Sequence, residues 1–203
     1  EEIVLKIAQN IASETQEKNL CLAGGVALNC VANGHLKRAG IFENIWVQPA
    51  AGDAGGALGA ALAVRHLHKS QPKTKTVSQD GMIGGFLGPA YDDSSAASEL
   101  RMCGARFKQL SIDEIINEAA DLLANSKAIG WMQGRMEFGP RALGARSILA
   151  DPRSPHMQKQ LNLKVKFRES FRPFAPSVLA EHVSEWFEHE DLSPYMLLVA
   201  DIK

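Results

Sequence analysis

The segment from Gly134 to Arg153, GRMEFGPRALGARSILADPR, sets four arginines among three glycines and two prolines. Guanidinium forks bind phosphate and carboxylate through paired hydrogen bonds, and Gly and Pro hold an irregular backbone that can wrap a small anion. A second basic run follows from Lys164 to Pro176, KVKFRESFRPFAP, with Lys166, Arg168 and Arg172 on even positions. An extended backbone would bring these three to one side. A solvated basic surface is the plain alternative. Against it, Phe167, Phe171, Phe174 and several prolines interleave with the cations, which predicts partial burial, and buried cations need anionic partners. Only Glu137, Asp151 and Glu169 are at hand locally, so a bound anion is expected. From Arg135 to Arg172 there are nine Lys and Arg against three Asp and Glu, in a chain whose net charge is −1. A basic block inside a near-neutral chain points to one anionic ligand rather than a polyanionic partner.

Two glycine loops lie upstream. Leu22 to Asn29 reads LAGGVALN. Two glycines after a strand let the backbone approach a ligand closely, and a following helix aims its amides at that point, where phosphate is favoured. A tight strand-to-helix turn with no ligand is the alternative on spacing alone. Ala51 to Ala60 reads AGDAGGALGA and places Asp53 at the mouth of a helix. Such an Asp is most often an N-cap; its sharper reading is a metal ligand beside a bound nucleotide. One Asp does not make a metal site, so the other ligands would lie before Glu1.

These motifs need positioning elements, and the patterning supplies them. Ile3, Ile7 and Ile11 recur at helical spacing up to about Glu17. Leu20 to Ala23 is a short apolar strand, Val26 to Arg38 a helix ended by Gly40, and Ile45 to Val47 a second strand broken by Pro49. Ala57 to His68 is an Ala-rich helix in which Gly59 is expected to permit a close neighbour. Strands alternating with helices predict a parallel or mixed α/β sheet, with ligands at the loops beyond the carboxyl ends of the strands. Ser70 to Ser78 reads as a linker or surface loop, and a short helix is expected from Asp92 to Cys103. Ser111 and Glu114 spell a capping box opening a further helix. Strands are expected at Ala128 to Met132, Ile148 to Ala150, Phe174 to Leu179 and Tyr195 to Ile202, with Ser154-Pro155 opening one helix and another around Glu185. The domain boundary is placed near Gly81.

The paired glycine loops resemble the back half of the actin, Hsp70 and sugar-kinase ATPase fold, closest to its Kae1-type branch. The Arg-rich string resembles the C-terminal domain of the carbamoyltransferases that decorate antibiotics and nodulation factors. That domain is similar to the YrdC fold, whose K-x-R signature matches Lys166-Phe-Arg168, with Arg172-Pro173 after it. The fold class this implies is α/β. Residues 1–80 would be the C-terminal portion of a Kae1-like nucleotide-binding domain, 81–110 a linker and connecting helix, and 111–203 the N-terminal portion of a YrdC-like domain. The resemblance implies an ATP-dependent O-carbamoyltransferase that forms carbamoyl-adenylate from carbamoyl phosphate and ATP and passes the carbamoyl group to a hydroxyl of a sugar or secondary metabolite. On that footing Gly24, Gly25 and Asn29 would touch ATP. Asp53 would bind a divalent metal, iron or magnesium, together with histidines outside the chain. Arg141, Lys166 and Arg172 would be catalytic, and Arg135, Arg146, Lys164 and Arg168 would bind substrate. Both ends look cut from something longer, and the fragment is expected to be inactive alone.

An actin-like-fold sugar kinase would explain the glycine loops but not the Arg-rich segment. A non-catalytic, nucleic-acid-binding YrdC-like module is disfavoured by the net charge. Cys21, Cys30 and Cys103 form no CxxC pair, which fits a reducing cytoplasm. The six histidines read as surface residues. No apolar run approaches the roughly 20 residues that span a bilayer, so no membrane partner is expected.

Overall fold

The computed structural model describes residues 1–73 and 80–203; residues 74–78 of the expected linker lie outside them. It is a mixed α/β chain of two compact units. Unit 1 gathers residues 1–87, 137–143 and 178–203, and unit 2 gathers 88–136 and 144–177. The first break falls between Leu87 and Gly88.

Unit 1 opens with α1 (Glu2–Thr15), whose periodic apolar positions put Ala8 into a cluster with Leu36 and Phe42. β1 (Asn19–Leu22) and β2 (Asn44–Val47) pair in parallel, with Leu20 opposite Ile45 and Leu22 opposite Val47. Between them the expected single helix is split. Gly25–Leu28 is a 3-10 turn, and α2 (Cys30–Arg38) starts afresh after Asn29. Asn29 is the reason: its side chain accepts from the amides of Val31 and Ala32 and caps α2, which fixes an extended residue ahead of the helix.

α3 (Asp53–Ala63) begins four residues before the expected start and runs into a π turn at Val64–His68. Close approach in α3 occurs at Gly55, not Gly59. A Cβ on Gly55 would lie 2.1 Å from the Ala50 carbonyl oxygen, whereas one on Gly59 would meet nothing within 4 Å.

Unit 2 contains α4 (Asp93–Met102), α5 (Ile112–Ala124) and the antiparallel pair β3 (Ile129–Met132) and β4 (Arg146–Leu149). Asp92 caps α4; hydrogen bonds from the Ser95 amide and the Ser94 hydroxyl bring its carboxyl down to about 2. The Ser111–Glu114 capping box forms at α5 as expected, with both reciprocal bonds present. α6 (Met157–Gln160) passes into a π turn at Leu161–Val165.

Back in unit 1, α7 (Val183–Trp186) lies where a helix was expected around Glu185. The two late strands are corrected. Residues 174–179 form no strand; Pro173 and Pro176 remove amide donors a ladder needs. Residues 195–202 form no ladder either, apart from an isolated bridge between Phe187 and Ile202. Instead Tyr195 and Leu197 enter the main core of unit 1, with Ala27, Val47, Ala50, Ala51 and Met82. Among the described residues no helix is long and apolar enough to cross a membrane.

Candidate functional site

In unit 1 the two glycine loops meet beyond the carboxyl ends of β1 and β2. The Gln48 amide donates to the Leu22 carbonyl at 3.0 Å, and the Gly24 amide donates to the Ala51 carbonyl at 2.8 Å. Gly24 sits at φ 93°, a conformation that only glycine adopts without strain. Nothing lies within 4 Å of where a Cβ on Gly24 or Gly25 would be, so the backbone there is open to a ligand. The Gly24 amide is already engaged; those of Gly25 and Val26 have no protein acceptor among the described residues. Asn29, expected to touch nucleotide, has its side-chain oxygen committed to capping α2.

The Arg-rich segment is divided between the units. Residues 137–143 belong to unit 1 and bring Arg141 with them. Arg141 Nη2 donates to the Leu28 carbonyl at 2.7 Å, at the end of the first glycine loop. Its Nε is buried without a partner. Gly139, at φ 113°, packs so closely on Ala50 that a Cβ would sit 3.0 Å from the Ala50 methyl. Glu137 is buried and accepts from the Leu143 amide at 2.7 Å, closing the loop on itself. Arg141 therefore stands with the glycine loops inside one compact unit, while Lys166 and Arg172 belong to the other.

Sequence reasoning did not find the pair that supports this loop. Asp80 accepts from the amides of Met82 and Gly84 and from the Tyr195 hydroxyl; that hydroxyl also accepts from the Gly84 amide at 3.0 Å. The next residue, Gly85, accepts at its carbonyl from the Phe138 amide at 2.7 Å. Burial pushes Asp80 upward, but the hydrogen bonds from Tyr195, Met82 and Gly84 outweigh it and hold the carboxyl below its usual range. Burial, and then Asp80, push the Tyr195 phenol up to about 12. A phenol that ionises near 10 when unfolded therefore lends stability that is full below pH 10 and is lost between pH 10 and 12. Tyr195→Phe is expected to destabilise by roughly 1–3 kcal/mol at neutral pH, because the hydroxyl's bonds to the Asp80 carboxylate and from the Gly84 amide are lost. It should also flatten the alkaline limb of the stability curve. Urea midpoints from pH 7 to pH 11 check both. Asn33 was also missed: fully buried, it donates to the carbonyls of Ala27 at 2.8 Å and Leu197 at 3.0 Å.

In unit 2, Met132 pairs with Arg146 across the hairpin, and the Gln133 amide extends the ladder to the Ala145 carbonyl. Arg135, bridged to Ala90, follows three residues on, so Arg135 and Arg146 leave the same end of the hairpin. The Lys164–Arg172 run is not extended. The π turn closes with the Lys166 amide on the Leu161 carbonyl at 2.8 Å, and Phe167 sits at φ 50°. The even-position argument therefore fails for Lys166, Arg168 and Arg172. So does the expectation of general burial: Arg135, Arg146, Lys164, Lys166 and Arg172 are exposed, while Arg141 and Arg168 are half-buried. Arg168 is held by Asn162 Oδ1 at 2.7 Å and lies over the Phe174 ring at 4.9 Å. Arg172 pairs with Glu169 at 2.8 Å, and Arg153 binds Asp151.

Asp53 is exposed at the first position of α3, after Gly52 as N-cap, and makes no capping bond. No group of three His, Cys, Asp or Glu able to hold a metal occurs among the described residues. The residues present do not make a metal site by themselves. Of the histidines read as surface residues, His189 departs, with a buried and unpartnered Nε2.

Parallel strands ending in two joined glycine loops, and a separate unit carrying a cationic loop on a π turn, define a mixed α/β protein. Residues 1–62 match the family model for the carbamoyltransferase N-terminus, and residues 120–203 match that for the carbamoyltransferase C-terminus. The chain belongs to the carbamoyltransferase family. Along its whole length it is 45% identical to nodulation protein NolNO of Sinorhizobium fredii and 44% identical to nodulation protein NolO of Bradyrhizobium diazoefficiens, covering 30% and 37% of those proteins. It is also 52% identical, over its full length and 33% of the relative, to an uncharacterized protein of Synechocystis. The chain thus spans about a third of the length of these relatives.

Proposed function

We propose that the chain is the middle of an ATP-dependent O-carbamoyltransferase, joining the end of a Kae1-like nucleotide-binding domain to the start of a YrdC-like domain. The observation that carries this reading is the matched family at both ends of the chain, with the two glycine loops joined through the Gly24 amide and the Ala51 carbonyl. In the reaction, carbamoyl phosphate and ATP, with one water consumed, give carbamoyl-adenylate, phosphate and pyrophosphate. An acceptor hydroxyl then attacks the carbamoyl carbon and AMP leaves.

Both donors are anions and repel each other without cationic groups between them. Lys166 and Arg172, assisted by Arg135, Arg146 and Lys164, would neutralise them and stabilise charge developing at the transferring phosphorus. Holding the two reactants together contributes a further part of the acceleration. Gly25 and its neighbouring amides would receive nucleotide phosphate in unit 1. Arg141, with its buried free Nε, is the catalytic cation proposed for that unit. Asp53 would supply one ligand to a metal whose other ligands come from outside the chain and whose chemistry would be polarisation of the acyl group. The full-length protein is expected to release pyrophosphate from ATP only when carbamoyl phosphate is present. Formation of ADP with a sugar, and no pyrophosphate, would instead identify an actin-like-fold sugar kinase.

A further inference from the structure

Resting on that reading, we propose that Asn162 is the positioning residue of the cationic loop 164–172, setting Lys166 and Arg172 for carbamoyl phosphate. Asn162 has no solvent exposure. A side-chain amide offers two donor hydrogens and two acceptor lone pairs, and Asn162 commits both ends to this loop. Its Nδ2 donates to the carbonyls of Ser170 at 3.2 Å and Arg172 at 2.8 Å. Its Oδ1 accepts from Arg168 Nε at 2.7 Å, and its own carbonyl accepts from the Arg168 amide at 2.9 Å. One buried residue thus grips the loop at 168, 170 and 172.

Two further features show that the loop is held rather than resting. Phe167 lies at φ 50° and is 83% exposed. For a bulky residue that conformation is strained and persists only where the surroundings over-determine it. No burial of the ring compensates, so the bonds on either side must. The π turn that carries Asn162 is itself an uncommon geometry, found frequently at functional sites. It ends at Lys166, whose amide closes the turn. Asn162 and Lys166 are therefore fixed by the same turn, and Arg172 by the Asn162 amide. Arg168, the second cation of the K-x-R pair, is tethered to Asn162 and Phe174, which makes it part of the support. Gln158 adds an outer brace, donating to the carbonyls of Phe171 at 3.2 Å and Arg172 at 3.1 Å.

The test uses the full-length protein carrying Asn162→Ala or Asn162→Asp. The aspartate keeps the acceptor for Arg168 but loses the donors to Ser170 and Arg172. Both variants are expected to raise KM for carbamoyl phosphate at least tenfold, with KM for the acceptor within twofold of the parent. Amide exchange over 166–172 should quicken at least tenfold while that over 19–51 is unchanged. Should Asn162→Ala fail to fold, the exposed Gln158→Ala supplies the same readouts with a smaller rise, about threefold. Unchanged exchange over 166–172, or a carbamoyl phosphate KM within twofold of the parent in folded variants, overturns the positioning role. If the unmodified protein releases no pyrophosphate on adding carbamoyl phosphate, the functional reading fails instead, and the exchange data still report whether Asn162 holds the loop.

Discussion

Lys166→Ala in the full-length protein is expected to lower kcat/KM for carbamoyl phosphate by roughly 10²- to 10³-fold, the range for removing one preorganised group that stabilises transition-state charge. Its thermal midpoint should not move. The side chain is exposed and has no protein partner among the described residues, so nothing in the fold depends on its charge. Arg172→Ala should show a loss of similar size. Its ion pair with Glu169 joins two half-exposed side chains, and such pairs contribute about 0–1 kcal/mol, so an incoming anion can readily take Arg172 over. Arg168→Ala should behave differently. It removes the bond to Asn162 and the stacking on Phe174, so stability and activity should fall together. Pyrophosphate release and thermal melts on the three variants separate these outcomes. Full activity in Lys166→Ala would end the assignment of this loop to the donor.

Gly55→Ala is the second large effect. The added Cβ would stand 2.1 Å from the Ala50 carbonyl oxygen and 3.1 Å from its carbon. Both are backbone atoms, so no side chain can turn aside. Overpacking a rigid site costs typically about 1–3 kcal/mol and more when the backbone itself must shift; here more than about 3 kcal/mol is expected. The clash would also push apart the segment where Gly24 bonds to Ala51, so nucleotide binding should weaken in whatever fraction folds. Gly59→Ala on the same helix is the control. It meets nothing within 4 Å and should stabilise by up to about 1 kcal/mol through helix propensity. Soluble yield and thermal midpoints of the two variants read the difference directly.

What the sequence made legible was local. The capping box at Ser111 and Glu114 needs only residues within one turn of each other, and it forms. The first glycine loop falls where the short apolar run ends, at Gly24-Gly25, but Asp53 to Gly56 of the second belong to α3, because alanines among the glycines let the helix start earlier. The strand expected over 195–202 went wrong because apolar composition says that Tyr195 and Leu197 are buried but not what lies beside them. Their partners are Gly84, Asp80 and Asn33, more than a hundred residues away. The alternating reading of Lys166, Arg168 and Arg172 assumed an extended chain. A π turn and a buried Asn162 decide the geometry, and an asparagine in LNLK carries no mark distinguishing it from a surface one. Nor does the sequence mark that residues 137–143 pack with the first glycine loop, through Arg141 on the Leu28 carbonyl and Gly139 on Ala50.

The order in which unit 1 is written along the chain has a consequence for its synthesis. Asn33 needs the carbonyl of residue 197, and Asp80 needs the hydroxyl of residue 195. The glycine loops are translated before unit 2, yet their scaffold is finished only after all of unit 2 has been made. Contacts so distant in sequence form slowly because long loops must close first. A nascent chain halted at residue 177 would hold β1, β2 and both glycine loops with a polar helix face and an aspartate still waiting. Such a chain should be a ready substrate for proteases and a client for chaperones until residues 178–203 emerge.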